Sequence, residues 1–166
     1  MFRPDPVQRY SHLPFPSYRY IPGKFPHPTR DPEGHSYNKS HPDHKTIDLQ
    51  NWQQCEPYLY GVDLYNHEFW WEAHEAWESC WIATGKTTEA GLFIQGLIQI
   101  AAACLKKHQG HNAGATRLAE EGLAKFPTAY PVFLGIDTTP FKAALKDYFS
   151  GKRTAQPIIQ LQEFQK

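Results

Sequence analysis

The segment from Glu68 to Ile82 places His74 and Glu78 one helical turn apart, within a stretch that holds four of the chain's five tryptophans. On a helix wheel of about 100° per residue, Phe69, Trp70, Ala73, Trp77, Cys80 and Trp81 form an apolar arc. His74 and Glu78 border that arc, and Trp71 lies just beyond it. Glu72 and Glu75 fall on the side expected to face solvent or a neighbouring chain. A histidine and a glutamate at i and i+4 can share a hydrogen bond, chelate a metal together, or act as an acid/base pair. His74 and Glu78 are therefore the candidate catalytic residues, Glu78 as base and His74 as acid or ligand. They are also the candidate ligands of a divalent metal, the one cofactor the sequence suggests. Neither HExxH nor ExxH is present; the string His74-Glu75-Ala76-Trp77-Glu78 offers two good ligands, and a lone metal needs more.

The next helical pattern supplies partners. Gln95 and Gln99 stand at i and i+4 in a segment otherwise built of Leu, Phe, Ile, Gly and Ala. Buried amides are costly unless hydrogen-bonded, and the expected partners are His74 and Glu78. The sequence thus predicts a polar pocket of His74, Glu78, Gln95 and Gln99 between two helices, roofed by Trp70, Trp71 and Trp81. Gly96 and Ala103 beside the glutamine stripe would let another helix approach closely. His108, His111 and Asn112 cluster at the following turn, where Asn112 is expected to cap a helix. In the N-terminal region His27 or His35 would complete the site if that region folds over the helices. His41-Pro42-Asp43-His44 has the look of a short metal clip, though a solvated loop is the better reading. No GxSxG elbow, phosphate-binding loop or GxGxxG fingerprint occurs.

The elements that must position these residues follow from periodicity and punctuation. Asp48 is expected to cap a short helix carrying Leu49 and Trp52. Pro57 suits a first helical turn, with Leu59, Val62 and Tyr65 following and Asn66 as a left-handed stop. Further helices are expected at about 68–83, 89–108 (capped by Thr88, closed by Gly110) and 113–126, with Pro127 and Pro131 beyond. A last one begins at Thr139-Pro140 and closes at Gly151. The apolar tail from Pro157 is expected to dock without regular structure. Short connections favour antiparallel neighbours. The predicted fold is all-α, a compact bundle of four or five main helices spanning 46–166.

Residues 1–45 read as an extended arm. Nine of the 14 prolines fall by residue 42, forbidding helix and interrupting strand ladders. Yet Phe2, Tyr10, Phe15, Tyr18, Tyr20, Phe25 and Tyr37 give the arm more aromatics than disordered tails carry. It is expected to pack on the helices of its own chain or of a second copy, which would make a homo-oligomer. Asp31-Pro32-Glu33-Gly34 fits a type I turn.

Composition narrows the function classes. The 17 basic and 17 acidic side chains cancel, which argues against a nucleic-acid partner. The most apolar window, Leu92 to Leu105, is 14 residues long and broken by two glutamines, which argues for a core helix rather than a membrane span. Cys55, Cys80 and Cys104 form no CxxC pair; an odd number of cysteines and no apolar leader favour reduced thiols and a cytoplasmic protein.

Three ordered blocks carry a resemblance. Tyr65-Asn66 followed by Phe69-Trp70-Trp71-Glu72-Ala73-His74-Glu75-Ala76-Trp77-Glu78-Ser79-Cys80-Trp81 is similar to the first signature of the bacterial family known as domain of unknown function 309. Leu92 to Ala103 resembles its second signature, and Gly110 to Ala115 its third. The resemblance covers about residues 57–126 and implies a small all-helical protein with no assigned activity. Glu72, His74, Glu75, Glu78, Trp81, Gln95, Gln99 and Asn112 are the positions that match its motifs.

Two functional expectations result. One is a small-molecule or metal pocket centred on His74 and Glu78, bordered by Trp70, Trp71, Glu75, Trp81, Gln95, Gln99 and Asn112, with hydrolysis or proton transfer as its chemistry. The other is a non-enzymatic helical module whose polar cluster is structural and whose surface binds a protein partner.

Overall fold

The computed structural model describes residues 6–40 and 43–164; His41 and Pro42 of the string expected to be a solvated loop lie outside them. A 3-10 turn at Trp52–Gln54 leads into five helices: α1 Glu56–Asn66, α2 Trp70–Thr84, α3 Glu89–His108, α4 Asn112–Leu123 and α5 Thr138–Ser150. α2 packs against both α1 and α3, and α3 against α4. The all-α bundle expected from the sequence is the observed fold.

α3 is the central element. Thr88 Oγ1 accepts from the Gly91 amide at 3.0 Å, satisfying one of the donors a helix start leaves free. Phe93, Ile94, Leu97, Ile100, Ala101 and Cys104 are almost wholly buried. Its length and hydropathy would suit a membrane span, but 61% of that window is buried within the bundle. Small residues set its closest contact: a Cβ at Gly96 would sit 2.6 Å from the Gly122 carbonyl oxygen, so α3 and α4 meet backbone to backbone. On the other flank Trp77 fills the seam between α1 and α2, its indole N–H donating to the Tyr58 carbonyl at 3.2 Å.

Several local expectations are corrected. Asp48 starts an Asx turn, accepting from the Gln50 amide at 2.9 Å, and Leu49 is exposed; only Trp52 of that segment is buried. Asn66 is no left-handed stop: the positive φ falls on Glu68 (65°), while the Asn66 side chain is buried and paired. α4 starts at Asn112 itself with no side-chain cap. It ends at Leu123, three residues short of the expected bound. A small antiparallel hairpin, β1 Val132–Phe133 with β2 Ile136–Asp137, was not anticipated. Its turn residues Leu134 and Gly135 both have positive φ. Gly135 is required there, because a Cβ would lie 2.5 Å from the Trp52 ring.

The arm and the tail are both anchored on α1. Asp63, wholly buried, accepts from Arg9 Nε at 2.8 Å and from the Tyr10 and Ser11 amides at 2.9 Å each. Tyr60 donates to the Pro14 carbonyl at 2.7 Å. At the far end of α1, Asn66 donates to the Ile159 carbonyl at 2.8 Å and accepts from the Ile159 amide at 2.7 Å. Tyr65 donates to the Pro157 carbonyl at 2.8 Å. The Leu161 amide donates to Tyr10 Oη at 3.0 Å, so arm and tail also touch each other. In the arm, the turn at Asp31–Gly34 forms, with Gly34 N–H donating to the Asp31 carbonyl at 2.9 Å.

Candidate functional site

α2 begins after Phe69 and carries three polar side chains outward within one turn and a half. His74, Glu75 and Glu78 are each half-buried. His74 Nδ1 lies 3.3 Å from Glu75 Oε1, and Nε2 lies 3.8 Å from Glu78 Oε2. One ligand atom from each of the three falls within 4.8 Å of the others. Burial works to lower the His74 pKa, but the hydrogen bond to Glu75 and the charges of Glu75 and Glu78 outweigh it and raise it above its usual value.

The glutamines do not join this cluster. Gln99 Oε1 accepts from Lys125 Nζ at 2.7 Å, on the side of α3 that faces α4. Gln95 is half-buried on the same stripe, and no hydrogen bond links either amide to His74 or Glu78 among the described residues. The small residues flanking the stripe do admit a helix closely, but that helix is α4, not α2. The sequence places the stripe on α3; only the order of helices around α3 decides which neighbour it meets.

The tryptophan roof is also corrected. Trp70 is buried, donates to Gln156 Oε1 at 2.5 Å and packs its ring 5.1 Å from that of His108. Trp71 meets Tyr20 and His27 of the arm edge-on, at 5.3 and 5.5 Å. Trp81 lies beneath Lys86 Nζ at 4.7 Å, and its buried indole N–H has no protein partner among the described residues. Asn112 is exposed, and its carbonyl accepts from Thr116 Oγ1 at 3.0 Å. Neither it nor the exposed His108 and His111 builds a ligand group with the α2 cluster.

Glu72, expected toward solvent, is covered by the arm. Its Oε1 accepts from the Tyr20 amide at 2.8 Å and lies 2.9 Å from His35 Nε2, and both side chains of that pair are about 95% buried. His35 therefore binds Glu72 rather than completing a site at His74. The Nδ1 of His27 faces the Thr29 and Arg30 amides, each at 3.3 Å. The anchors Asp63 and Asn66 were missed by reading for chemistry. A clue was available: both interrupt the apolar pattern of a short helix, as buried polar groups with dedicated partners do.

These observations define a class first, a helical bundle with an ordered N-terminal arm and a one-sided His/Glu/Glu cluster on α2. Residues 58–118, from the first turn of α1 to the middle of α4, match the family model described as Domain of unknown function (DUF309). No curated protein matches the chain.

Proposed function

We propose that this protein binds a divalent transition-metal cation through His74, Glu75 and Glu78, with coordination positions left open for a water molecule or a small substrate. The supporting observation is the convergence of the three ligand atoms within 4.8 Å on a half-exposed face. One imidazole nitrogen with carboxylate oxygens suits zinc, manganese or iron. All three come from one helix, so they occupy one side of an ion and leave the other side to non-protein ligands. An ion held in this way lowers the pKa of a bound water and polarises a carbonyl or phosphoryl oxygen; hydrolysis of a small molecule is the activity this would serve. The side chains reorient slightly to reach bonding distance, which exposed glutamates do at low cost.

Calorimetric titration of tag-free protein with zinc and with manganese tests the reading. The wild type should bind one ion, and His74→Ala should weaken binding by about 10-fold or more. The metal-free variant should keep its stability within about 0.5 kcal/mol, as surface substitutions do. No heat and no thermal stabilisation by zinc, manganese or iron(II) would end the proposal. A loss of several kcal/mol in metal-free His74→Ala would favour the structural module instead.

A further inference from the structure

Away from the α2 face, two cysteines that are distant in sequence meet inside the bundle. Cys55 stands immediately before α1 and Cys80 in the last half of α2, and their sulfurs are 3.8 Å apart. Both are at least 98% buried. Nothing in the site on α2 uses them. We infer that Cys55 and Cys80 are a reversible dithiol–disulfide couple, oxidised by a hydroperoxide, which ties the start of α1 to α2.

The two sulfurs differ in ways that assign their roles. Cys80 sits inside a helix, and its thiol also donates to the Ala76 carbonyl at 3.9 Å. Cys55 has extended backbone (φ −85°, ψ 90°) at the N-terminus of α1, where exposed amide donors favour a thiolate. Hydrogen bonding from Cys80 holds the Cys55 thiol down to about 7 against the effect of burial, helped by a backbone amide at Tyr58 and the charge of Lys45. Cys80 is pushed up. Cys55 is thus the attacking sulfur and Cys80 the resolving one.

The step balances. The Cys55 thiolate attacks one oxygen of the hydroperoxide, the O–O bond breaks, and the departing alkoxide or hydroxide takes a proton, leaving Cys55 as a sulfenic acid. The Cys80 sulfur then attacks the Cys55 sulfur as its own proton leaves. The S–O bond breaks, water departs, and the disulfide forms. Two thiols are oxidised and one peroxide is reduced.

Access to Cys55 comes through local opening of the chain before it. Cys55 directly follows the three-residue turn Trp52–Gln54, in which Trp52 is buried and Gln54 exposed, and a segment that is exposed apart from Ile47. That segment is held by surface hydrogen bonds, Lys45 Nζ to the Gln54 carbonyl at 2.8 Å and Thr46 Oγ1 to the Ala83 carbonyl at 3.1 Å. Short segments held mainly by surface hydrogen bonds open locally more often than a core helix. Cys55, outside regular helix, can turn its sulfur toward Cys80 without bending α1. Cys104 is the internal control: it is fully buried in α3, and burial pushes its thiol up.

The test is exposure of the full chain to excess hydrogen peroxide, followed by thiol counting after denaturation and by non-reducing peptide mapping. One titratable thiol should remain of the three, the mass should fall by two hydrogen atoms, and the linked peptide should join Cys55 to Cys80. Dithiothreitol should restore all three. Cys55→Ser should leave Cys80 and Cys104 as thiols under the same exposure. Peptide mapping of the wild type decides the matter even if a variant folds poorly. Retention of all three thiols, pairing through Cys104, a cross-link between chains, or sulfinic acid on unlinked peptides would each overturn the inference.

Discussion

Asp63 on α1 and the Glu75–Glu78 pair on α2 are carboxylates on adjacent helices in opposite circumstances. Asp63 is wholly buried and takes three donors, all from the arm. Glu75 and Glu78 are half-exposed, and their one close ionic neighbour among the described residues is His74 on the same helix. A buried carboxylate surrounded by donors from its own chain has its hydrogen-bonding capacity used by folding. Three convergent ligand groups open to solvent have capacity left over for something else. Glu72 shows that the distinction is local rather than a property of the helix: two residues from His74, it is closed over by Tyr20 and His35 and belongs with Asp63.

The comparison breaks most visibly at Asp63. Asp63→Ala strands two buried backbone amides and leaves Arg9 without its carboxylate. Removing one partner of a buried, hydrogen-bonded charge costs about 3–5 kcal/mol. Equilibrium denaturation should show that loss, and limited proteolysis should cut first in the arm, between residues 6 and 40, before the helices are attacked. A loss below about 1 kcal/mol would mean the arm contributes little to the fold and that Asp63 is not its anchor.

Glu72 should rank next. Glu72→Ala removes the acceptor of the Tyr20 amide and of His35, at about 2 kcal/mol for two buried hydrogen bonds. Glu72→Gln should recover most of this, because a carbonyl oxygen can replace Oε1. The amide would also occupy the place of Oε2, which is buried and has no protein partner among the described residues. Urea midpoints for the two variants check the order. An equal loss in both would show that the charge, not the acceptor, holds the arm.

The helices were legible because their signals are local. Thr88 as a cap, Gly110 and Gly151 at the ends, and the apolar run of α3 each depend on a few neighbouring residues, and both glycines have positive φ. His74 and Glu78 stand at i and i+4 on one helix, so their approach is a matter of periodicity and could also be read in advance; Glu75, expected on the solvent side, joins them because its side chain reaches His74 Nδ1 at 3.3 Å. What failed was everything that depends on which element lies opposite. Gln99 met Lys125 just past α4, Glu72 met the arm, Asn66 met the tail, and Cys55 met Cys80. A helix wheel gives direction around an axis but says nothing of the neighbour in that direction. The hairpin was missed for a related reason: two residues per strand are too few to show a period, and Leu134 at positive φ is not a turn residue that sequence would suggest.

His74 has the smallest effect on stability and the most informative sign. Burial lowers its pKa, but Glu75 and Glu78 together raise it above the unfolded value. Its contribution to metal-free stability is therefore fully present below about pH 6.5, the unfolded pKa, and is lost as pH climbs through the raised folded value. Compared with His74→Gln, the metal-free wild type should lose its advantage as pH rises from about 6.5 through the raised folded value. The difference should stay below about 1 kcal/mol, because solvent screens a half-exposed pair. Metal reverses the slope. Imidazole must give up its proton before the nitrogen can bind an ion, so stabilisation by added zinc should grow across the same pH window in the wild type and be absent in His74→Gln. Thermal melts in paired buffers with and without zinc read both slopes in one series. Slopes of the same sign in the two conditions would place His74 with Glu72 and Asp63, among the side chains whose partners are already inside the protein.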